Sequence, residues 1–337
     1  MNARQIFSWS VILCAIGFLP THLTGQDRVD YAIVIHGGAG SAKIDPEVAT
    51  ARIRSLTTYL ELGVEMLKAD KQSLQVVEAV IRQLEDDPLF NAGHGAVYNS
   101  QGGHELDASI MDGRDLSCGA VAGVTRVKNP ISLARHVMTD TRHVLLAADG
   151  ADQFARQLGL ERVKQSYFHT EHARQRWEKV RAAELEKEKE KETVGVSEEL
   201  PSYLGTVGCV VLDREGSIAA GTSTGGLTNK KYGRVGDSPI ISAGTYADNR
   251  TCGVSGTGIG EHFIRHAVAY DVSARMMYRK DSLQDAARAV IHETLKPGYG
   301  GIIALDRVGN ISMEFNTAGM SRAAADSNGR FEVHVGK

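Results

Sequence analysis

Cysteine is scarce in this chain, with four residues in 337. Cys14 sits in an N-terminal apolar run. The remaining three, Cys118, Cys209 and Cys252, are an odd set with no CxxC spacing, which argues against a disulfide framework and against a zinc site. Cys209 and Cys252 lie in apolar or glycine-rich strand contexts and read as small buried hydrophobes rather than reactive thiols. A basic excess is also missing. The 38 Lys and Arg face 41 Asp and Glu, for a net charge of -3, so nucleic acid is excluded as an expected partner. No apolar stretch is long enough for a comfortable membrane span. An apolar run with no charge, Ile6 to Leu19, follows Arg4, ends at Pro20 and precedes Leu23-Thr24-Gly25. That layout predicts a secretory signal peptide over 1–25 and export to the periplasm or the medium, with an uncleaved anchor as the alternative. Cys14 lies inside the run rather than after it, against a lipoprotein.

The chain as a whole is 42% hydrophobic and 23% charged, a soluble globular protein with ample core, as one large domain or two modest ones. Its 36 glycines point to tight turns and close backbone approaches. Tyr31 to Ile35 is a short apolar strand delivered into His36-Gly-Gly-Ala-Gly40. That turn lacks the Lys-Ser/Thr of a Walker A loop and the GxGxxG spacing of a dinucleotide site. Asp45-Pro46 opens a helix to about Lys68, and Leu74 to Leu84 continues the helical period. Leu84 to His94 reads as a loop whose acids either bind a cation or face solvent. Strands are expected over 104–113 and 118–127, and a helix from Asn129-Pro130 to about Met138, with Asn as its cap. From about 170 to 200 the composition changes, and Glu184 to Glu192 is charged almost throughout. That run is compatible with a local helix but offers no apolar stripe with which to dock, so the segment reads as a mobile, solvated linker, with a partner-binding helix as the alternative.

The linker gives way abruptly to Gly205-Thr206 and the β-branched run Val207 to Leu212. Thr206 has two readings. It is either a residue opening a strand or a latent nucleophile that gains a free α-amine when the Gly205–Thr206 bond is cut. That amine, with an ordinary pKa of roughly 7.7–8.0, is able to act as base for the hydroxyl of its own residue. Further on, Gly208 to Ile218 echoes Gly301 to Ile311, each a strand, an Asp-Arg-x-Gly turn and a strand. Two hairpins of one type predict adjacent ribbons in one sheet. Helices are expected from Gly260 to Tyr278 and from Asp281 to Leu295, packed over an antiparallel sheet pair.

Seven motifs in order then resemble one family: IHGGAG (35–40), PLFNAGHGAVY (88–98), HELDASIMDG (104–113), GTVGCVVLD (205–213), TSTGG (222–226), GRVGDSP (233–239) and SGTGIGE (255–261). The chain resembles the plant-type asparaginase / isoaspartyl peptidase family of the N-terminal nucleophile (Ntn) hydrolases. The resemblance covers roughly 30–170 and 200–325.

It implies an α+β fold, a four-layer αββα sandwich, over one folded domain, 26–337. Autoproteolysis would divide that domain into an α chain, 26–205, and a β chain, 206–337. It also implies a dimer of αβ units acting on a small amino-acid or dipeptide substrate. By the same resemblance Gly205 and Thr206 form the autocleavage site, Thr206 is the nucleophile and Thr224 orients it. Thr257 and Gly258 form the oxyanion hole. Arg234 clamps the substrate α-carboxylate, and Asp237, with the Gly260 carbonyl, takes the α-ammonium. No catalytic cofactor is implied. A structural sodium ion is implied on the backbone carbonyls of Leu84, Glu85, Asp87, Phe90, Ala92 and His94, and Asn91 falls near the site with no assigned role.

The alternative within the superfamily is glycosylasparaginase, whose nucleophile context reads Asp-Thr-Ile-Gly rather than Gly-Thr-Val-Gly. A threonine endopeptidase is disfavoured by the zwitterion reader at Arg234 and Asp237. A non-catalytic binding protein of this fold would leave the Gly205–Thr206 bond intact.

Overall fold

The computed structural model describes residues 29–40, 44–190 and 205–337. The signal-peptide expectation and the last part of the expected linker fall outside the described residues. Two β-sheets and their helices form a mixed α/β fold. The strands are β1 (Ala32–Gly40), β2 (Leu106–Asp112), β3 (Cys118–Val124), β4 (Leu145–Ala147), β5 (Val207–Leu212), β6 (Ile218–Thr224), β7 (Thr245–Ala247), β8 (Cys252–Gly258), β9 (Gly300–Asp306), β10 (Ile311–Phe315), β11 (Gly319–Asp326) and β12 (Phe331–His334). The larger sheet runs β12-β11-β1-β5-β6-β2-β3-β4 and the smaller β10-β9-β8-β7. Every named pairing is antiparallel except that of β3 with β4.

Alternation sorts the strand side chains between two cores. Val207, Cys209 and Val211 of β5, with Ile33 and Ile35 of β1, face the helix-side core. Val210 and Leu212, with Ala32 and Val34, face the core shared with the second sheet. Strands buried on both faces need an unbroken apolar run, which is what their sequences carry. The helices α1 (Pro46–Lys68), α2 (Ser73–Asp86) and α3 (Pro130–Asp140) contact the larger sheet, α2 on β5 and β6 and α3 on β2 and β3. A short helix, α4 (Ala148–Gln157), contacts β3 and β4. After α5 (Glu171–Glu190) and α6 (Gly260–His266), α7 (Val268–Ala274) contacts β8, and α8 (Leu283–Ala289) contacts β9 and β10.

The start of α1 is as expected, with Asp45 Oδ1 accepting from the Glu47 N–H at 2.9 Å. At α3 the cap differs. The Asn129 amide turns away to donate to Asp86, and Glu85 Oε1 takes the Ile131 N–H at 3.0 Å instead. A cap supplied by a side chain from another helix leaves no local signal.

The two echoed hairpins are not neighbours in one sheet. β5–β6 lies in the larger sheet and β9–β10 in the smaller, with β5 packed across the interface against β8 and β9. Both turns use the same device. Asp213 Oδ1 accepts from Glu215 and Ser217 N–H, Asp306 Oδ1 accepts from Val308 and Asn310 N–H, and Gly216 and Gly309 take φ of 81° and 94°. The echo reports a turn chemistry, which is local, and not a sheet position, which is tertiary.

The expected mobile linker is corrected over its first part. Residues 171–190 form α5, and although its surface is mostly charged, Ala173 is buried. Trp177 stacks on Tyr98 with ring centroids 5.6 Å apart. A single indole supplies docking area that a search for a continuous apolar stripe overlooks.

Candidate active site

The antiparallel order brings one end of five strands together. β1 ends where β5 begins, β6 ends beside that same point, and Asp107 at the start of β2 pairs with Thr224 at the end of β6. The end of β8 approaches from the second sheet, where Thr257 Oγ1 accepts the Ala39 N–H at 3.1 Å. A small cleft at this junction is lined by Gly205, Thr206, Thr224, Gly226, Leu227, Arg234, Gly236, Asp237, Ser238 and Gly258. Apart from Leu227, the lining residues come from four of the seven sequence motifs, 205–213, 222–226, 233–239 and 255–261, which therefore meet in space.

Thr206 is buried, and its hydroxyl donates to Thr224 Oγ1 at 3.1 Å. Thr224 Oγ1 also accepts the Gly226 N–H at 3.0 Å, which fixes where the Thr206 hydroxyl points. The peptide bond before Thr206 is closely packed. Gly38 has φ +102°, and a Cβ added there would stand 2.6 Å from Gly205 Cα. Only glycine accepts both that conformation and that approach. On the other side Asn91 lies against Gly205. Its amide donates to the Gly226 carbonyl at 2.8 Å and accepts from the Val97 N–H at 3.0 Å.

Thr257 is fully buried behind the cleft. Its oxygen accepts from Ala39, so its own proton is free to be donated elsewhere. Gly258 lines the cleft, and a Cβ there would meet the Phe263 ring at 2.3 Å. Gly260 does not line the cleft but packs one layer behind, against Arg234 Nη2 and the Asp237 backbone nitrogen.

Arg234 and Asp237 are not the surface ion pair that their spacing permits. The Arg234 side chain is 18% exposed, and its Nε and Nη2 form a two-pronged contact with Glu261, both bonds at 2.9 Å. The fork in turn holds the Glu261 carboxyl below its ordinary value. Asp237 is buried, and its Oδ2 makes no hydrogen bond among the described residues. Burial pushes its pKa up to about 7, against the pull of Arg234. Glu261 is the last residue of the SGTGIGE motif, and its pairing with Arg234 was not foreseen. Its place in the first turn of α6 was the available signal.

His36 was also missed. Burial holds its pKa down at about 3, with the Thr206 backbone beside it opposing in part. The imidazole Nε2 lies 3.0 Å from Ser255 Oγ. Ser255 Oγ meets Thr222 Oγ1 at 2.7 Å, Thr222 meets Thr245, and Ser109 Oγ sits between Thr245 Oγ1 and the Ser238 carbonyl at 2.8 and 2.6 Å. A buried hydroxyl chain thus crosses the two sheets from beside the nucleophile to beside Asp237. Each of these hydroxyls sits within a strand among small and apolar neighbours, a pattern that reads as ordinary strand sequence until the second sheet is in place.

The expected cation loop follows the last turn of α2, where helix carbonyls are left without helical donors. A Cβ added at Gly93, with φ +50°, would stand 2.2 Å from the Glu85 carbonyl oxygen, and one at Gly95 would stand 2.1 Å from that of Phe90. The carbonyls of Asp87, Phe90 and Ala92 each accept one backbone N–H, which leaves each a second lone pair. The Glu85 side chain points elsewhere, accepting from Ser223 Oγ at 2.6 Å as well as from Ile131, and burial pushes its pKa up to about 8.

A model of the asparaginase family matches residues 29–335. The chain belongs to that family. It is therefore a hydrolase. Among curated proteins it is similar to an isoaspartyl peptidase of Escherichia coli K12, 46% identical over 296 residues that cover 86% of this chain and 91% of the relative. It is similar to a probable isoaspartyl peptidase/L-asparaginase 2 of Arabidopsis thaliana, 44% identical over 90% of this chain and 98% of the relative. A plant-type L-asparaginase of Thermococcus kodakarensis is 41% identical over 87% of this chain and 95% of the relative.

Proposed function

We propose that this hydrolase is an Ntn enzyme that cleaves its own Gly205–Thr206 bond and then hydrolyses β-aspartyl dipeptides and L-asparagine. The observation that carries this is the placement of Thr206 Oγ1, 3.1 Å from Thr224 Oγ1, in one cleft with Arg234 and Asp237. Relatives named isoaspartyl peptidase and L-asparaginase favour this substrate class over the glycosylasparaginase alternative. The helices on either side of the facing sheets support a four-layer αββα sandwich of the Ntn type, in one domain over 26–337.

In maturation the Thr206 hydroxyl adds to the Gly205 carbonyl. The C–N bond breaks, the α-amine of Thr206 takes the proton, and an ester joins Gly205 to Thr206 Oγ1. Water hydrolyses the ester, leaving an α chain ending at Gly205 and a β chain beginning at Thr206. In catalysis the new amine accepts the hydroxyl proton as Oγ1 attacks the substrate side-chain carbonyl. The Thr257 hydroxyl and the Gly258 N–H stabilise the oxyanion. The leaving amine or ammonia is protonated, a β-aspartyl ester remains on Thr206, and water releases aspartate. Arg234 reads the α-carboxylate, and the unpartnered Asp237 Oδ2, with the Gly260 carbonyl, reads the α-ammonium. Ligand carbonyls in the Leu84–His94 loop suit a hard monovalent cation, and a sodium ion held there by Leu84, Glu85, Asp87, Phe90, Ala92 and His94 would brace the backbone around Asn91. Export through residues 1–25 and assembly as a dimer of αβ units complete the proposal.

The test is Thr206→Ala. The account expects one uncut chain with no hydrolysis of β-aspartyl dipeptides or asparagine. A variant that still cuts itself would remove Thr206 from its role.

A further inference from the structure

The loop between the nucleophile's partner and the substrate-reading arginine is bent and held from outside. Between Thr224 and Arg234 the residues Asn229, Tyr232 and Gly233 take φ of 62°, 59° and 65°. For tyrosine that is an unfavourable conformation, and its side chain is fully exposed, so its own packing does not hold it there. The loop leans on Asn229. Its side-chain Oδ1 accepts from Trp177 Nε1 at 3.1 Å, and its Nδ2 donates to Glu184 Oε2 at 2.9 Å. Glu184 Oε2 also lies 3.4 Å from Lys231 Nζ. Both donor and acceptor capacities of the Asn229 amide are thus used by α5.

α5 is itself anchored. Trp177 stacks on Tyr98, which also touches His104 and His169, and Arg181 lies over the indole. From Asn229 the constraint passes along the backbone, through Lys231 O accepting the Arg234 N–H at 3.0 Å. On the cleft side, Lys230 Nζ and Cδ lie against Gly226, a cleft-lining residue. Maturation would leave α5 in the α chain and the loop in the β chain, tied, among the described residues, by side-chain contacts of this kind.

We infer that Trp177 and Glu184 of α5 are positioning residues for substrate binding, holding Asn229 and through it the loop that places Arg234. This rests on the proposed reading of Arg234 as the reader of the α-carboxylate. α5 is then a strap across the substrate loop, contributed by the segment just before the cleavage site. It touches neither substrate nor Thr206. Loosening it is expected to weaken binding of every aspartyl ligand and leave the chemical step nearly unchanged.

The experiment compares wild type, Trp177→Ala, Glu184→Ala and the conservative Glu184→Gln, which keeps an acceptor for Asn229. All four are first run on a denaturing gel, where full conversion to two chains shows that folding and maturation are intact. Steady-state kinetics with a β-aspartyl dipeptide and calorimetric binding of L-aspartate follow. The expected result is a KM and an aspartate Kd raised about three- to tenfold in Trp177→Ala and Glu184→Ala, the effect of losing one or two partly exposed hydrogen bonds. Little change in kcat and recovery toward wild type in Glu184→Gln are expected alongside. A spectroscopic arm uses the protein beginning at residue 26, in which Trp177 is the sole tryptophan. L-aspartate should shift its emission with the calorimetric Kd. Unchanged KM and Kd in both alanine variants would overturn the inference, as would a loss of kcat with KM intact. If wild type fails to bind L-aspartate and fails to hydrolyse the dipeptide, the reading of Arg234 fails instead, and the two failures are told apart.

Discussion

At the scale of single residues, the site depends on how each side chain is held as much as on its identity. Arg234 spends its Nε and Nη2 on Glu261, so its orientation is fixed before substrate arrives, which reduces the entropy lost on binding. Glu261→Gln should therefore raise KM for β-aspartyl substrates by roughly tenfold while kcat falls much less, because one prong and the charge are lost but the guanidinium remains. Steady-state kinetics would show this, and an unchanged KM would mean that the fork is incidental. That Thr206, Thr224, Thr257, Arg234 and Asp237 would gather at one cleft was legible in the sequence because each sits in a motif. Glu261 and His36 were printed within those same motifs, yet their partners lie on other elements, and linear order does not state which carboxylate faces which arginine.

At the scale of elements, β1 runs on through the expected glycine turn, and the bulge within it between His36 and Ala39 acts as a pair with the residues leading into β5. Gly37 packs its bare Cα face against the Phe90 ring, and Gly38 does so against Gly205. A methyl group at Gly38 meets both a strained φ and a backbone 2.6 Å away. Gly38→Ala should slow or abolish autocleavage even though it touches no catalytic side chain. The fraction of two-chain product over time on a denaturing gel measures this, and cleavage at the wild-type rate would show that the β1 bulge does not position the scissile bond. The helices α1, α2 and α3 and the strand pair β5–β6 were foreseeable because each carries its own periodicity, cap or turn residues. The assignment of the echoed hairpin to the second sheet and the docking of α5 through Trp177 were not, since both are decided by partners distant in sequence.

At the scale of the whole molecule, folding buries titratable groups whose ionisation then depends on the fold. His36 is held near 3, below its ordinary 6.5. The unfolded chain therefore binds the proton that the native state refuses, and stability is lost as pH falls from about 6.5 through 3. Asp237 is the opposite case. Its native pKa of about 7 lies above its ordinary 3.8, so the native state holds a proton that the unfolded chain releases. Its contribution is lost as pH rises from 3.8 to about 7 and is level beyond. Asp237→Asn, compared with its parent in a Thr206→Ala background so that both are single uncut chains, should gain stability over that window, by a few kcal/mol at most. Denaturant midpoints at pH 4 and pH 8 measure the gap. A gap that is the same at both would contradict the burial of an unpartnered carboxyl.

The most direct measurement of the central claim is the intact mass of the purified protein under denaturing conditions. The account predicts two species, one of them the 132-residue chain from Thr206 to Lys337, its partner ending at Gly205. A single species spanning the Gly205–Thr206 bond, persisting after prolonged incubation in protein that nonetheless hydrolyses β-aspartyl dipeptides, would contradict it.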